Sequence, residues 1–364
     1  MKKYLLSFVM LLSGIFLLSS CMGDEEPRPS TPQEFTVTLG AFVLNEGNYY
    51  NNINGSLSYI DLQQSTISNG LFHDINNRYL GSTPNSMVVA GDNSELYIAC
   101  TDDNRIEITD NKLKSIASID IEKPREMVVS GGYVYVTSYS GTVAQISTIS
   151  HKITATSEVV GKNLEGIAVR GDYLYVCNSY NPDYTYNNNV IKLKTSTLEK
   201  VGDITVATNP TTIKADGNNL YLLSSGNYQD IKPQIQKIDS EDKVTFLCNG
   251  LFFDVYNENL FVIDSTVDKD TQKTLYSYFA FTKTGSKLTI IPPFDIPAPC
   301  AINVDPNTGA LFVSSNKMGE NGYPDYSATG YVYAFSLDGT YYKRYDAGVG
   351  PYTLMFNHVK YITQ

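Results

Sequence analysis

A triplet of apolar, aromatic and apolar residues recurs seven times along the chain: Ala41-Phe42-Val43, Leu96-Tyr97-Ile98, Val134-Tyr135-Val136, Leu174-Tyr175-Val176, Leu220-Tyr221-Leu222, Leu260-Phe261-Val262 and Leu311-Phe312-Val313. Self-similarity at a period of roughly 40 to 50 residues marks a propeller or a solenoid. Each triplet after the first follows a turn carrying Gly, Asp or Asn, such as Gly131-Gly132 or Asp216-Gly217-Asn218. Before that turn lies another short apolar strand, such as PNSMVVA from 84, PREMVVS from 124 or LEGIAVR from 164. A third strand follows each triplet, for example LSYID from 57 or VIKLK from 190, and fourth strands such as SIASIDI from 115 complete the repeat. Four short strands per repeat, with no helical periodicity, predict an all-β fold, a seven-bladed β-propeller. The first triplet has no inner strand before it, and the seventh inner strand starts at Pro351. The strand at 351–358 is therefore expected to complete the first blade, closing a propeller that runs from 41 to 361. Closure removes the unpaired edges that an open array would leave.

Antiparallel geometry then sorts the loops. If strands A to D of each blade run outward from a central channel, the B–C loops and the links between blades share one face. The A–B turns are short, whereas several B–C loops are long: NEGNYYNNINGS (45–56), SYNPDYTYNNN (179–189), SSGNYQDIKP (224–233) and SNKMGENGYPDYSATG (315–330). Function is expected on the long-loop face. Tyr49, Tyr50, Tyr139, Tyr180, Tyr184, Tyr186, Tyr228, Tyr323 and Tyr326 all fall in B–C loops of this face. Interleaved with them are Asn45, Asn48, Asn51, Asn52, Asn181, Asn187, Asn188, Asn227 and Asn321. A tyrosine offers a rigid apolar ring with a polar tip, and an asparagine offers donor and acceptor together, the mixture that adaptable binding surfaces use. A second set is the residue after the first position of each inner strand: Asn85, Arg125, Glu165, Thr211, Phe252, Cys300 and Tyr352. The repeat register puts these around the channel mouth, where Arg125 and Glu165 offer charge and Phe252 and Tyr352 offer flat apolar contact.

The chain ends indicate the compartment. Lys2 and Lys3 precede an apolar run that is too short to span a bilayer and ends in Leu18-Ser19-Ser20-Cys21, which reads as a signal peptide over 1–20. The ending is similar to a bacterial lipobox, with Cys21 as the lipidated first residue of the mature chain. Residues 21–40 read as a tether, with Asp24, Glu25 and Glu26 followed by Pro27, Pro29 and Pro32. The acids behind Cys21 look like the surface-export signal of Bacteroidetes-type lipoproteins, so an outer-membrane, lipid-anchored, outward-facing protein is expected; a lipid chain anchors without spanning. With 38 Asp and Glu against 27 Lys and Arg, the chain lacks the basic footprint of a nucleic-acid binder. Cys100 and Cys177 sit in strand-like runs and read as core, while a bridge between Cys248 and Cys300 stays open.

No catalytic or metal-binding motif emerges. The three histidines, His73, His151 and His358, fall in separate repeats, and no HExxH, CxxC, GxSxG, Walker or Rossmann pattern occurs. Asp102-Asp103 and Asp268-x-Asp270 read as solvated turn acids rather than a calcium loop. Propeller enzymes assemble sites from scattered residues, so a lactonase or lyase with Glu165 and Arg125 in acid-base and charge-stabilising roles remains an alternative.

Together the lipobox, the phrase Phe42-Val43-Leu44-Asn45-Glu46-Gly47-Asn48, the GSLSYID strand from Gly55 and the sevenfold register resemble the BtuG family of surface lipoproteins, within the wider YncE-like propellers. That resemblance implies capture of cobalamin and handover to a TonB-dependent, BtuB-type outer-membrane transporter, with no catalysed step, no metal and no cofactor beyond the carried ligand. A corrinoid is large, flat and fringed with amides, which suits Tyr faces ringed by Asn. Surface binding of another ligand, a glycan or haem, is the further alternative; the absence of Trp weighs against a sugar platform, and the lack of paired histidines weighs against haem.

Overall fold

The computed structural model describes residues 33–91, 94–290 and 292–362. The expected signal peptide, Cys21 and the tether up to residue 32 lie outside the described residues. Residues 36–359 form one compact unit, the propeller. In a second unit, Phe35 stacks on Tyr361 with ring centroids 5.5 Å apart.

The propeller comprises seven four-stranded antiparallel sheets. Blade 1 is ordered Pro351–Ile362, Glu34–Asn45, Ser56–Asp61, Thr66–Ser68 from the inside out, so the last strand of the chain does close the ring. Blades 2 to 6 follow in sequence, with inner strands Pro84–Ala90, Pro124–Ser130, Leu164–Arg170, Pro210–Asp216 and Phe252–Tyr256. Blade 7 runs from Pro299–Val304 to Tyr341–Val349, with the small hairpin Lys317–Met318/Pro324–Asp325 inserted in its B–C connection.

The triplets are apolar throughout because a B strand is covered on both faces by neighbouring blades. Tyr97, Ile106 and Ile108 of blade 2 pack with Met127, Val134 and Val136 of blade 3, and equivalent clusters fill the other blade interfaces. Close approach of the inner strands needs small residues. A Cβ on Gly166 would lie 2.8 Å from the Ile213 nitrogen and the Thr211 carbonyl oxygen, both backbone atoms of the next inner strand.

Three features depart from the sequence reading. The second strand of blade 1 begins at Glu34, so 34–40 is strand rather than tether; the run Thr36, Val37, Thr38 has the β-branched composition that suits pairing. A six-residue helix, Leu71–Asn76, leads into blade 2 and buries Phe72; two turns are too few to produce a periodic signal. Cys100, Cys177, Cys248 and Cys300 are all free thiols, so no Cys248–Cys300 bridge forms.

Candidate functional site

The inner strands share a backbone irregularity that creates the channel wall. In blades 2, 3, 4, 5 and 7 one extra residue is inserted just after the first position: Pro84 pairs with Cys100 but Ser86 with Ala99, and Pro124 pairs with Ser138 but Met127 with Val136. A bulge of this kind re-aims side chains that strict alternation would send to opposite faces. Arg125 and Glu126, neighbours in sequence, consequently both line the channel.

The channel cavity measures about 650 Å³. Asn85, Arg125, Glu165, Thr211, Phe252 and Tyr352, one from each of six inner strands, lie in its wall. The seventh residue of that set, Cys300, does not line the cavity, and its thiol points to the Pro351 carbonyl oxygen at 3.1 Å. Glu46, Glu126 and Lys214 join the wall and were not singled out from the sequence. The signal that could have found Glu126 is the pair of residues between the leading proline and the first core residue in PREM and PNSM, one more than alternation allows.

Charge is unevenly compensated. Arg125 grips Glu165 through both forks, Nε to Oε2 at 2.9 Å and an Nη to Oε1 at 3.3 Å, and its guanidinium lies 4.7 Å from the Tyr139 ring centroid. The Tyr139 hydroxyl donates to Glu165 Oε1 at 2.6 Å; burial foremost, then the Glu165 charge, pushes its pKa far up. Lys214 pairs with Asp254 at 2.8 Å. Glu46 and Glu126 have no ion-pair partner within 4 Å among the described residues; Glu126 accepts from the Asn85 amide at 3.2 Å and from the Ser86 side chain. Burial lifts the pKa of each to about 7, partly opposed by Arg125.

This has a direct consequence for stability. A carboxyl whose folded pKa is raised from 4.5 to about 7 leaves the folded state holding extra protons between those values. Folding free energy therefore weakens as pH rises across that window and levels off above it. Urea midpoints taken from pH 5 to pH 8 are expected to fall with rising pH, and Glu46→Gln with Glu126→Gln to flatten the profile. A flat wild-type profile would mean the channel is wet enough to leave both groups ordinary.

The loop tyrosines form two groups rather than one. Tyr139, Tyr180 and Tyr184 climb outward from the Arg125–Glu165 pair, Tyr139 edge-on to Tyr180 at 6.0 Å and Tyr180 stacked on Tyr184 at 6.2 Å and 7°. Tyr186 meets Tyr228 at 6.0 Å, and Tyr228 lies at the cavity. Tyr184 and Tyr228 are 77% and 74% exposed, so most of each ring stays open to solvent despite these contacts. Tyr49, Tyr50, Tyr323 and Tyr326 form the second group on blades 1 and 7, where Asn48 donates to the Tyr326 carbonyl oxygen at 3.0 Å and Asn51 donates to Ser327.

The asparagines serve the loops more than the open surface. Asn45 is fully buried; its amide donates to Ser56 and Ser58, and its oxygen accepts from the Gly348 nitrogen. Asn181 and Asn187 bond each other, and Asn227 holds its own turn through Asp230, Gln229 and Ile231. Short loops of positive-φ turns need such bonds, so these amides are spent on structure.

The seven closed blades around a polar, tyrosine-rimmed channel define a seven-bladed β-propeller. The chain belongs to the family described as a domain of unknown function, DUF5074, whose model matches residues 39–242, more than half of its length. No curated protein matches the sequence. Among solved structures, a Lactobacillus plantarum protein aligns at a TM-score of 0.60 and 13% identity, covering 87% of this chain and 99% of that one. A 6-phosphogluconolactonase-like protein of Bacteroides uniformis aligns at 0.58 and 12%, covering 88% and 100%. A selenium-binding-type protein of Sulfolobus tokodaii aligns at 0.64 and 8%, covering 90% and 94%. At such identities the likeness is one of fold.

Proposed function

We propose that the protein is a lipid-anchored surface binder that captures a corrinoid such as cobalamin across its tyrosine-rimmed channel mouth. It passes the ligand to a TonB-dependent outer-membrane transporter, without a catalysed step. The observation that carries the reading is the tyrosine run rising from the Arg125–Glu165 pair through Tyr139 and Tyr180 to the exposed Tyr184, with Tyr228 of the next blade also lining the cavity. Large aromatic faces held rigid beside a polar-walled cavity suit a flat ligand with hydrogen-bonding arms. The anchor at Cys21, the outward orientation and the transporter rest on the sequence resemblance.

The test is direct. Residues 33–364 are mixed with excess cobalamin and passed through a desalting column, with calorimetry on the same sample. Red colour should travel with the protein, and Tyr184→Ala with Tyr228→Ala should weaken binding about tenfold or more, as loss of aromatic anchors does. Colourless protein with no heat of binding rejects the corrinoid.

One observation favours a second reading, acid-base chemistry on a lactone or uronate. Glu46 and Glu126 titrate near 7 inside the channel, in the range a general acid or base needs. Lactone hydrolysis abolished by Glu126→Gln would support it.

A further inference from the structure

A cleft of about 730 Å³ lies at the junction of blades 6 and 7, and none of its lining residues belongs to the channel wall. Its wall is aromatic. Phe294, in the link between the two blades, meets Tyr341 edge-on at 4.8 Å and Tyr333 at 5.5 Å, and Tyr331 adjoins Tyr333 at 6.2 Å. Phe294 is 39% exposed, an unusual position for a phenylalanine whose ring already packs against two others.

The charge of the cleft is opposite to that of the chain. Lys317, Lys343 and Arg344 line it against a single acid, Asp295, in a protein with 38 acids and 27 bases. Lys343 is occupied by the Ser65 carbonyl oxygen. Arg344 lies over Tyr331, 4.5 Å from the ring centroid; its Nε faces Asp346 at 3.3 Å, and its side chain also hydrogen-bonds that of Tyr333. Lys317 is exposed and has no ion-pair partner among the described residues. Behind the wall, the Tyr278 hydroxyl is buried, with the residue 7% exposed, and has no hydrogen-bond partner among the described residues. It sits in electrostatic range of Asp295 and Tyr333, two residues of the cleft.

We propose that this cleft is a second binding site, for a ring-bearing anion whose face stacks on the exposed Phe294 and whose carboxylate or sulfate is held by Arg344 and Lys317. A guanidinium fixed over a ring still has N–H donors beyond those it spends on Asp346 and Tyr333 to offer such a group, and the lysine adds a point charge. Acidic sugars and aromatic acids share this chemistry. The site does not rest on the corrinoid reading, since its residues and those of the channel are separate.

Saturation-transfer NMR on the protein with methyl β-D-glucuronide, 4-hydroxybenzoate and neutral methyl β-D-glucoside decides it. At least one anion is expected to bind saturably at about millimolar concentration, and the neutral glucoside not to. Whichever anion binds identifies the source. Lys317→Ala, a surface change that leaves folding alone, and Arg344→Ala should each weaken the anion at least fivefold while leaving the cobalamin result unchanged. No signal from either anion, equal binding of the neutral sugar, or unaltered affinity in both variants overturns the proposal.

Discussion

Glu165→Ala is expected to destabilise the protein by about 3 kcal/mol, because it strands a guanidinium that the fold has already desolvated. The Arg125 and Glu165 side chains are 16% and 12% exposed, so little water reaches the pair from outside. Breaking a buried pair by removing one partner typically costs 3 to 5 kcal/mol; the polar channel, which admits some solvent, argues for the lower end of that range. The same substitution removes the acceptor of the Tyr139 hydroxyl, at 2.6 Å, and frees the first ring of the run that ends at Tyr184. Cobalamin affinity should therefore fall along with stability. Glu165→Gln separates the two effects: it keeps an acceptor for Tyr139 and loses the charge, so binding should survive better than folding. Replacing both partners, Arg125→Met with Glu165→Leu, should recover most of the lost stability, since no charge is left unpaired. Urea titrations of the four proteins measure this, and a Glu165→Ala midpoint equal to wild type would show that the channel is as wet as bulk solvent.

The fold was legible from the sequence because a propeller writes each blade separately. The triplet with Tyr97, Tyr135 or Tyr175 at its centre repeats the same both-faces-buried strand, and the lack of an inner strand before Ala41 made closure from Pro351 the only way to complete blade 1. The helix at Leu71–Asn76 and the strand start at Glu34 were not legible, since each occurs once and no repeat reinforces it. At the site, register brought six inner-strand residues to the wall, but the bulge was invisible to a period of two. An alternating strand sends Glu126 away from Arg125, and only the observed pairing of Pro124 with Ser138 and Met127 with Val136 turns both inward. The asparagines misled for a related reason. A loop sequence does not tell an amide that closes its own turn, as Asn227 does, from one that faces a ligand. The tyrosines are less ambiguous, because a large ring in a loop has few places to hide.

The seam that closes the ring carries the second large effect. Asp305, only 1% exposed, sits between the blade 7 strands Pro299–Val304 and Leu311–Ser315 and reaches both other participants in the closure. It accepts from the Thr38 hydroxyl at 2.7 Å, in the second strand of blade 1, and its other oxygen lies 2.8 Å from His358 Nε2, in the closing strand. Thr308 and the Asn307 backbone nitrogen complete its shell at 2.6 and 3.0 Å. Burial alone would raise this carboxyl, yet the bonds from Thr308, Thr38, Asn307 and His358 outweigh it and hold the pKa below its ordinary 3.8. A depressed folded pKa contributes stability that is present above the unfolded value and disappears as pH falls through the folded one. Asp305→Ala removes that contribution and leaves Thr38, Thr308 and His358 without their acceptor, at an expected cost of about 3 kcal/mol. Because the lost bonds span the closure, the loss should be local first: backbone amides of 351–358 should exchange hydrogen faster than those of blade 4, which has no part in the seam. Asp305→Asn, which keeps the shape and one acceptor oxygen, should fall between the two. Uniform acceleration across all seven blades would instead show that the ring opens only by unfolding as a whole. Unchanged exchange at 351–358 would show that strand pairing closes it without this carboxylate.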